Sequence, residues 1–489
     1  MPGPGNVGER VRNLRLTRRL SQAQLAGHDL SDSYISLIES GKRTPTPTVL
    51  RMLAERLGCT PEYLAEGVEP EQRAHLEVRE RHAHLALLGG DPATAESGFD
   101  DVIARSDDPD LTARARWGRA RALEELGRTA QAIALFEELR EHAERDPGRA
   151  SWLPPVIALA RCYHTVGDLG QAIALGERAL ERLGRLGLAV GEEHAEAGRI
   201  LLLAYVDRSD RERAHALGRT LLGPDRSGDD APASVHYQRA STRALEESAI
   251  GDSLYLADQA LASRREGTPR QTQARLSLAG AKALLRGVRP FSEAPAEPEG
   301  RRGMFPASAE LGRPRPEGTP EAAAEALGLL AATSTLTGSE ATEATIVRAR
   351  ALVLAGETSQ AVTALEDFLQ TGMALAAPEG STARPVSPPP GTDPEARTHT
   401  TVLARLVLAR ARVAENDPAA ARVVLRAAQD QLDGLAPGRP TAALYRELGE
   451  LHEIVGDPAS AAAAYRRALE AAGLRHPRPT AAARDLGRV

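Results

Sequence analysis

Hydrophobic residues recur at helical spacing through most of the chain, and the clearest pattern lies between residues 20 and 43. Ser21 is a favourable N-cap for a helix over 22–26, because its hydroxyl can accept a hydrogen bond from a backbone N–H of the first turn. Ser31 caps a second helix that runs from residue 32 to about residue 40. The pattern therefore predicts two short helices joined by a tight turn.

The second of these helices has an apolar face and a polar face. Tyr34, Ile35 and Ile38 fall at helical spacing and are expected to pack inward. The residues left on the outer face are Asp32, Ser33, Ser36 and Leu37. A short helix followed by a second helix with a polar outer face is the geometry by which proteins place a helix in a DNA groove.

The sequence on both sides of this pair is also helical in pattern. Residues 7–19 carry apolar positions on one face, and Thr46-Pro47 and Thr60-Pro61 each begin a further helix, with proline where the missing N–H costs nothing. Five helices in about 65 residues predict a compact all-α domain over residues 1–70.

The motifs of this segment resemble those of the Xre/phage-repressor class of helix-turn-helix domains over residues 6–66. They are L-S-Q-x-x-L-A, S-x-S-Y-I-S-x-I-E-x-G-K-R and P-x-x-x-x-L-x-x-L-A-x-x-L-G. The resemblance implies that the helix from Asp32 to Ser40 enters the major groove of double-stranded DNA, while the preceding helix crosses the backbone.

The resemblance also assigns roles to residues by their position. Those implied to contact bases are Asp32, Ser33 and Leu37. Those implied to contact phosphates are Gln22, Ser40, Lys42 and Arg43. Arg15 and Glu39 match a structural pair that ties the first helix to the recognition helix. A carboxylate can accept from cytosine N4, and Leu37 offers apolar contact, for example to a thymine methyl group.

Charge is unevenly distributed along the chain. Residues 1–66 hold nine Lys plus Arg and seven Asp plus Glu, whereas the whole chain has a formal net charge of -6. This modest local surplus predicts DNA affinity that is site-directed and salt-sensitive. The alternative is a five-helix bundle that is used for protein contacts.

The remainder of the chain repeats itself. Residues 446–473 carry Gly449, Gly456, Ala461 and Tyr465 at the spacing of a tetratricopeptide repeat. The same phase recurs upstream, with turn positions at 90, 127, 167, 209 and 251. The resemblance to tetratricopeptide repeats implies helical hairpins that stack into a right-handed superhelix with a concave inner surface.

These patterns predict an α-solenoid of tetratricopeptide-like hairpins after the N-terminal domain. Its expected segments are residues 71–287, 321–375 and 399–489. Two intervening segments, 288–320 and 376–398, are rich in Pro and Gly and are predicted to be disordered or extended loops.

The sequence gives little support for metal binding, catalysis or disulfide bonds. His75, His82 and His84 lack Cys or carboxylate partners at ligand spacing, so neither a metal nor another cofactor is expected. No catalytic motif is recognisable, and an enzymatic role is not expected. Cys59 and Cys162 are interpreted as reduced thiols of a cytoplasmic protein without a membrane span.

Together the two parts predict a transcriptional regulator whose repeats bind a peptide or protein ligand on the concave face. The layout resembles that of peptide-responsive quorum-sensing regulators. A homodimer is expected, since each half-site of a DNA operator takes one recognition helix. The alternative is a protein-interaction scaffold that the N-terminal domain brings to DNA at the nucleoid.

Overall fold

The computed structural model describes residues 7–66, 70–224, 231–266, 270–294, 318–371 and 394–474. Over these ranges the chain forms twenty-three α-helices and one short 3-10 helix, and no strand. The predicted all-α class, a five-helix N-terminal segment followed by a helical repeat array, is confirmed. The chain divides into two compact units, Met1–Val166 and Gly167–Val489, and each is described by itself.

The first unit contains ten helices in its described part. Five short ones form the N-terminal domain, and five longer ones follow. Their bounds are α1 Val7–Thr17, α2 Gln22–Ala26, α3 Asp32–Glu39, α4 Pro47–Leu57, α5 Pro61–Glu66, α6 Pro70–Leu88, α7 Pro92–Arg105, α8 Pro109–Glu125, α9 Thr129–Arg145 and α10 Leu153–Val166.

The second unit consists of longer helices that are paired mostly as hairpins. The described helices are α11 Leu169–Arg185, α12 Glu192–Arg208, α13 Arg211–Leu222, α14 Ala233–Glu246, α15 Ile250–Glu266, α16 Arg270–Leu285, α17 Pro320–Ala331, α18 Gly338–Leu354, α19 Thr358–Thr371, α20 Pro394–Ala414, α21 Pro418–Leu432, α22 Arg439–Ile454 and α23 Pro458–Ala471. The 3-10 helix is Ala332–Thr335. None of the described helices is long and apolar enough to cross a membrane.

The hydrophobic core runs from one hairpin to the next. One cluster joins α18 and α19 to α20 through buried side chains such as Ile346, Leu365 and Val407. The next joins α20 to α22 through side chains such as Leu406 and Leu448. Each hairpin therefore buries its apolar face only because its neighbour covers it, as expected for a repeat array.

The turns inside the hairpins share one construction. A residue with positive φ follows the first helix, and the second helix begins two residues later. The positive-φ residues are Gly90, Gly127, Gly167, Ser209, Ser248, Gly356, Asn416 and Gly456. In five turns an aspartate follows, and its carboxylate accepts a hydrogen bond of 3.0–3.2 Å from the N–H three residues on: Asp91, Asp168, Asp210, Asp417 and Asp457. This arrangement satisfies donors that the helix itself leaves unpaired.

One predicted turn position is wrong by three residues. The sequence pattern placed the turn of the fifth hairpin at Gly251, but Gly251 lies inside α15, and Ser248 is the residue with positive φ, 61°. The sequence A-I-G-D resembles the V-G-D turn upstream, which shifted the expected register. With Ser248 as the turn, the spacing from Ser209 is 39 residues.

The hairpin of α14 and α15 departs from simple sequential stacking. The α16 helix packs on α12, and Leu276 lies in one buried cluster with Ala195 and Leu221 of α12 and α13. Tyr237 of α14 and Tyr255 of α15 instead donate hydrogen bonds from their hydroxyls to Glu193, in the first turn of α12. The α14/α15 hairpin is therefore docked at the N-terminal end of α12, whereas α16 continues the stack.

Two predicted loop boundaries need correction. Residues 288–294, assigned to a disordered loop, are described and include the fully buried Phe291, whose ring packs where Gly218 leaves room for it. Residues 394–398, assigned to the second loop, are the first residues of α20. The Pro- and Gly-rich composition of the first segment gave no sign of the buried Phe291. The composition of the second segment gave no sign that a helix begins at Pro394. Residues 295–317 and 372–393 lie outside the described residues.

The last hairpin shows how closely its two helices approach. A Cβ atom added at Gly449 of α22 would lie 2.6 Å from a ring carbon of Tyr465 on α23, closer than side chains tolerate. The absence of a side chain at this position allows that approach, and the ring of Tyr465 fills the space. A larger residue must therefore displace the ring of Tyr465 or push α23 away.

We expect Gly449→Ala to destabilise the second unit by about 1–3 kcal/mol, the usual cost of overpacking a core. The matched control is Gly328→Ala in α17, where an added Cβ meets nothing within 4 Å. Because alanine is the better helix former, the control is expected to stabilise by up to about 1 kcal/mol. Urea unfolding of both variants checks the opposite signs, and equal effects would contradict the close packing.

Candidate nucleic-acid interface

The two helices predicted for the interface are each fixed by a serine cap. Ser21 accepts from the N–H of Gln24, and the side chain of Gln24 accepts from the N–H of Ser21, so α2 begins with a complete capping box. Ser31 accepts from the N–H of Tyr34 at 3.1 Å. Short helices of five and eight residues are thereby defined at their N-terminal ends, although neither would be stable alone.

The inner face of α3 is buried in a core that it shares with α1, α2 and α4. Ile35 and Ile38 lie in one core cluster with Val11, Leu25 and Leu53, and all five side chains are almost fully buried. Packing on three other helices turns this face of α3 toward the core of the domain. Its polar face is therefore held toward the outside of the domain.

An ion pair between α1 and α3 adds to this packing. Arg15 donates from Nε to Glu39 Oε1 at 2.6 Å and from Nη2 to Oε2 at 3.0 Å. Both side chains are nearly buried, with exposures of 11% and 5%. Arg15 Nη1 also donates to the carbonyl of Leu20, just before α2. One guanidinium thus joins α1, the start of α2 and the end of α3.

The protonation state of this pair follows from its contacts. Burial alone would raise the pKa of Glu39, but the hydrogen bonds from Arg15 and Gln22 outweigh it, and the pKa lies below its ordinary value. The hydrogen bond to Glu39 raises the pKa of Arg15 in turn. Both groups are charged at neutral pH, and the pair is an ionic, bidentate contact of the strong kind.

The structure places the three predicted base-contact residues on the exposed side of α3. Asp32, Ser33 and Leu37 are exposed, and Leu37 retains 39% of its surface. Asp32 Oδ1 also accepts from the N–H of Ser33 at 3.0 Å, at the positive end of the helix dipole. Asp32 therefore has a local structural role in addition to any contact with a base.

The four predicted phosphate-contact residues are placed in different surroundings. Gln22 donates from Nε2 to Glu39 Oε2 at 2.9 Å, so its side chain belongs to the ion-pair network. Ser40 donates from its hydroxyl to the carbonyl of Leu37. Lys42 is exposed, and the guanidinium of Arg43 lies over the ring of Tyr34, 5.2 Å from its centroid. The latter two present charge outward directly after α3.

Three further arginines have a role that sequence reasoning missed. Arg10, Arg18 and Arg56 donate to carbonyls at the C-terminal ends of α5, α4 and α2. These carbonyls have no partner within their own helices, and a cation is favourable there. The contacts span 31 to 55 residues of sequence, so no local pattern reveals them. Fewer basic side chains are therefore available for phosphates than the charge count suggests.

A second candidate site lies in the other unit, between α18, α20 and α22. It is a groove of about 310 Å³ with the apolar side chains of Ile346, Leu403 and Leu444 among its lining. Glu340 and Glu343 also line it, and their carboxylates are paired with Arg275 and Lys282 of α16. We call it the α18–α22 groove. Among the described residues no group of His, Cys, Asp and Glu could hold a metal ion.

Residues 11–64 match the family model described as helix-turn-helix. This segment is a helix-turn-helix domain of the Xre type. The match spans a small part of the 489-residue chain, so it identifies the domain and not the whole protein. No curated protein sequence matches the chain.

Two solved structures resemble larger parts of the chain. The complex of Bacillus thuringiensis PlcR with the peptide PapR7 and DNA shares 17% identity, covers 53% of this chain and 98% of that chain, and superposes with a TM-score of 0.26. The APC/C hetero-tetramer Cut9–Hcn1 shares 15% identity over 96% of this chain and 88% of that chain, with a TM-score of 0.20. At these TM-scores neither likeness carries an argument about arrangement or function.

We expect Glu39→Gln to weaken the helix-turn-helix domain by about 3 kcal/mol, because it leaves the nearly buried guanidinium of Arg15 without its counter-charge. Amide hydrogen exchange in the full chain measures this as faster exchange in α1 and α3. The matched control is Glu55→Gln, the same change at an exposed residue of α4. Equal protection in the two variants would contradict a stabilising role for the pair.

Proposed function

We propose that the protein is a sequence-specific DNA-binding transcriptional regulator. The observation that carries the proposal is the exposed face of α3, on a helix whose inner face is buried and whose end is fixed by the Arg15–Glu39 pair. Ser33 and Leu37 lie four residues apart on that face and are positioned to read base edges. Such a regulator acts in the cytoplasm, on the DNA of the nucleoid.

The charges of the domain support affinity that depends on the site rather than on bulk attraction. Lys42 and Arg43 follow α3, and Arg12, Arg19 and Arg51 are exposed elsewhere on the domain. Arg18 is also exposed, but it donates to the carbonyl of Gly58. So few available basic side chains on a domain of small net charge give few phosphate contacts. Binding should therefore weaken as salt rises, with a modest slope set by these few contacts, and should depend on correct base contacts for much of its strength.

The regulator is proposed to act as a homodimer. A single α3 can read only one half-site, and two half-sites of an operator lie about one helical turn, or roughly 34 Å, apart. The long helical array provides the surface through which two copies could be held at that spacing. A change in the geometry of the dimer would then alter DNA affinity without any change in the recognition helix.

A ligand that binds the array is proposed to make that change. The α18–α22 groove is suited to it, because its volume lies at the lower end of the range for ligand pockets and it combines apolar side chains with charged ones. A peptide side chain could insert between Ile346, Leu403 and Leu444. Polar groups of the peptide would then exchange with the ion pairs of Glu340 and Glu343.

For DNA binding, we expect two classes of variant to behave differently. Ser33→Ala and Leu37→Ala should change the preferred base at one position, each by about 1–3 kcal/mol of discrimination. Lys42→Ala and Arg43→Ala should weaken binding to all sequences about equally and reduce the salt slope by about one per residue. Fluorescence anisotropy with matched and mismatched duplexes measures both effects.

The same measurement separates the regulator from the alternative of a recruited scaffold. A scaffold needs the domain only for attachment, so both classes of variant would then reduce affinity without changing sequence preference. Absence of any preferred site at moderate salt would contradict the regulator. As a control, Glu55→Gln, on the exposed side of α4, should leave preference and salt slope unchanged.

For ligand response, we expect a pool of synthetic heptapeptides to shift the DNA affinity of the full chain, with Leu403→Arg removing the shift. The arginine would fill the apolar part of the α18–α22 groove. Leu469→Arg, at an exposed position of α23, is the matched control and should respond like the unmodified chain. A shift that persists in Leu403→Arg would place the ligand elsewhere, and no shift in any chain would contradict peptide gating.

A further inference from the structure

The α14/α15 hairpin has one docked side and one exposed side. On the docked side, Arg182 of α11 contacts Glu247 and Asp252, which flank the beginning of α15. The arginine and Asp252 are nearly buried, with side-chain exposures of 11% and 7%. Tyr255, one turn further along α15, donates to Glu193 at 2.6 Å. Residues 252 and 255 therefore mark the face of α15 that rests on the array.

The opposite side of the hairpin is apolar and exposed. Leu245 lies in the last turn of α14, and Ile250, Leu254 and Leu261 follow along α15, with exposures of 57%, 44%, 58% and 58%. On a helix, residues 250, 254 and 261 point away from residues 252 and 255. Four large apolar side chains are thus exposed on a hairpin whose other face is held to the array by ion pairs and a hydrogen bond. We call this set the α15 stripe.

The spacing of the stripe along α15 is that of a coiled-coil seam. Ile250, Leu254, Ala257 and Leu261 are separated by four, three and four residues, the a/d pattern of a heptad. This spacing is the same in both directions. A second copy of α15 laid antiparallel therefore places Ile250 of each copy opposite Leu261 of the other, and Leu254 opposite Ala257, a large side chain facing a small one.

The area of the stripe also suits such a partner. Four apolar side chains about half exposed present roughly 400 Å² of apolar surface, within the 300–600 Å² range of functional patches on soluble proteins. A stable dimer buries about 800 Å² on each partner, and somewhat more than half of that is apolar. The stripe therefore supplies most of the apolar part of a standard interface, with the polar surface of the hairpin as its rim.

We propose that the α15 stripe is the surface through which two copies of this chain associate, with the two α15 helices antiparallel. This inference rests on the proposed function in one respect, namely that a regulator of this kind works as a dimer. It adds the location and the symmetry of the contact. The two-fold axis passes between Leu254 and Ala257, and the interface is isologous.

The association is tested by sedimentation of the full chain at about 10 µM, a concentration at which an interface of this size is occupied. The unmodified chain is expected at twice the 52.0 kDa of one chain, and Leu254→Lys/Leu261→Lys at 52.0 kDa. Val423→Lys/Leu469→Lys, which changes exposed apolar residues of α21 and α23, should remain dimeric. Circular dichroism melting establishes that each variant is folded.

A monomeric unmodified chain, a dimeric Leu254→Lys/Leu261→Lys variant, or dissociation of the control as well would each overturn the proposal. DNA binding is measured separately on the same samples. A chain that dimerises through the stripe but binds no preferred DNA site would contradict the proposed function and leave the interface standing. A Leu254→Lys/Leu261→Lys variant that binds a palindromic site as a dimer would contradict the proposed interface and leave the proposed function standing.

Cross-linking tests the antiparallel arrangement. Copies carrying Ile250→Cys are mixed with copies carrying Leu261→Cys, both in a Cys59→Ser background. Cys162 can stay, because burial raises its pKa to about 12. The mixture should form a disulfide-linked dimer on mild oxidation, whereas either copy alone should not, since its two cysteines would lie about 16 Å apart along the helices. Cross-linking of Ile250→Cys alone would overturn the antiparallel geometry.

Discussion

The orientation of α3 depends on one buried ionic contact. The guanidinium of Arg15 binds both carboxylate oxygens of Glu39 and the carbonyl of Leu20, so a single side chain joins α1, the entry to α2 and the end of α3. The apolar core beneath would accept small rotations of an eight-residue helix, because apolar contacts have little directionality. The bidentate pair does not allow such rotations, because its two hydrogen bonds require one geometry. It therefore fixes which side chains of α3 face outward.

The array follows a different constraint, since none of its hairpins can bury an apolar face alone. Tight turns with positive φ and aspartate caps bring the two helices of a hairpin together, and small residues such as Gly449 let them approach closely. Neighbouring hairpins then share clusters of buried side chains. The α14/α15 hairpin is the exception, because buried ionic and hydroxyl contacts hold it while α16 continues the stack.

The structural features that depend only on residues close in sequence could be predicted from the sequence. The caps at Ser21 and Ser31, the two short helices and most hairpin turns follow from side chains within four positions of one another. Features that depend on distant residues were not predictable. The contact of Arg182 with Asp252 spans 70 residues, and the buried Phe291 lies in a segment whose composition is that of a loop. The arginines that bind helix ends are a further case.

The same distinction explains how far the candidate interface could be anticipated. Which residues of α3 face outward follows from helical periodicity, so Ser33 and Leu37 were found from sequence. Helical periodicity could not predict the contact of Gln22. Its amide donates a hydrogen bond to Glu39, and the Arg15–Glu39 pair forms only in the folded domain. We therefore propose that the exposed face of α3 reads bases and that the array sets the geometry of two such faces.

Selection of binding sites from random double-stranded DNA with the full chain measures whether this protein reads DNA sequence as a dimer. We expect an enriched inverted repeat whose half-sites are centred about one helical turn, or roughly 34 Å, apart. Enrichment of a single unrepeated half-site would contradict the dimeric arrangement. No enrichment at all at moderate salt would contradict the central claim that this protein reads DNA sequence.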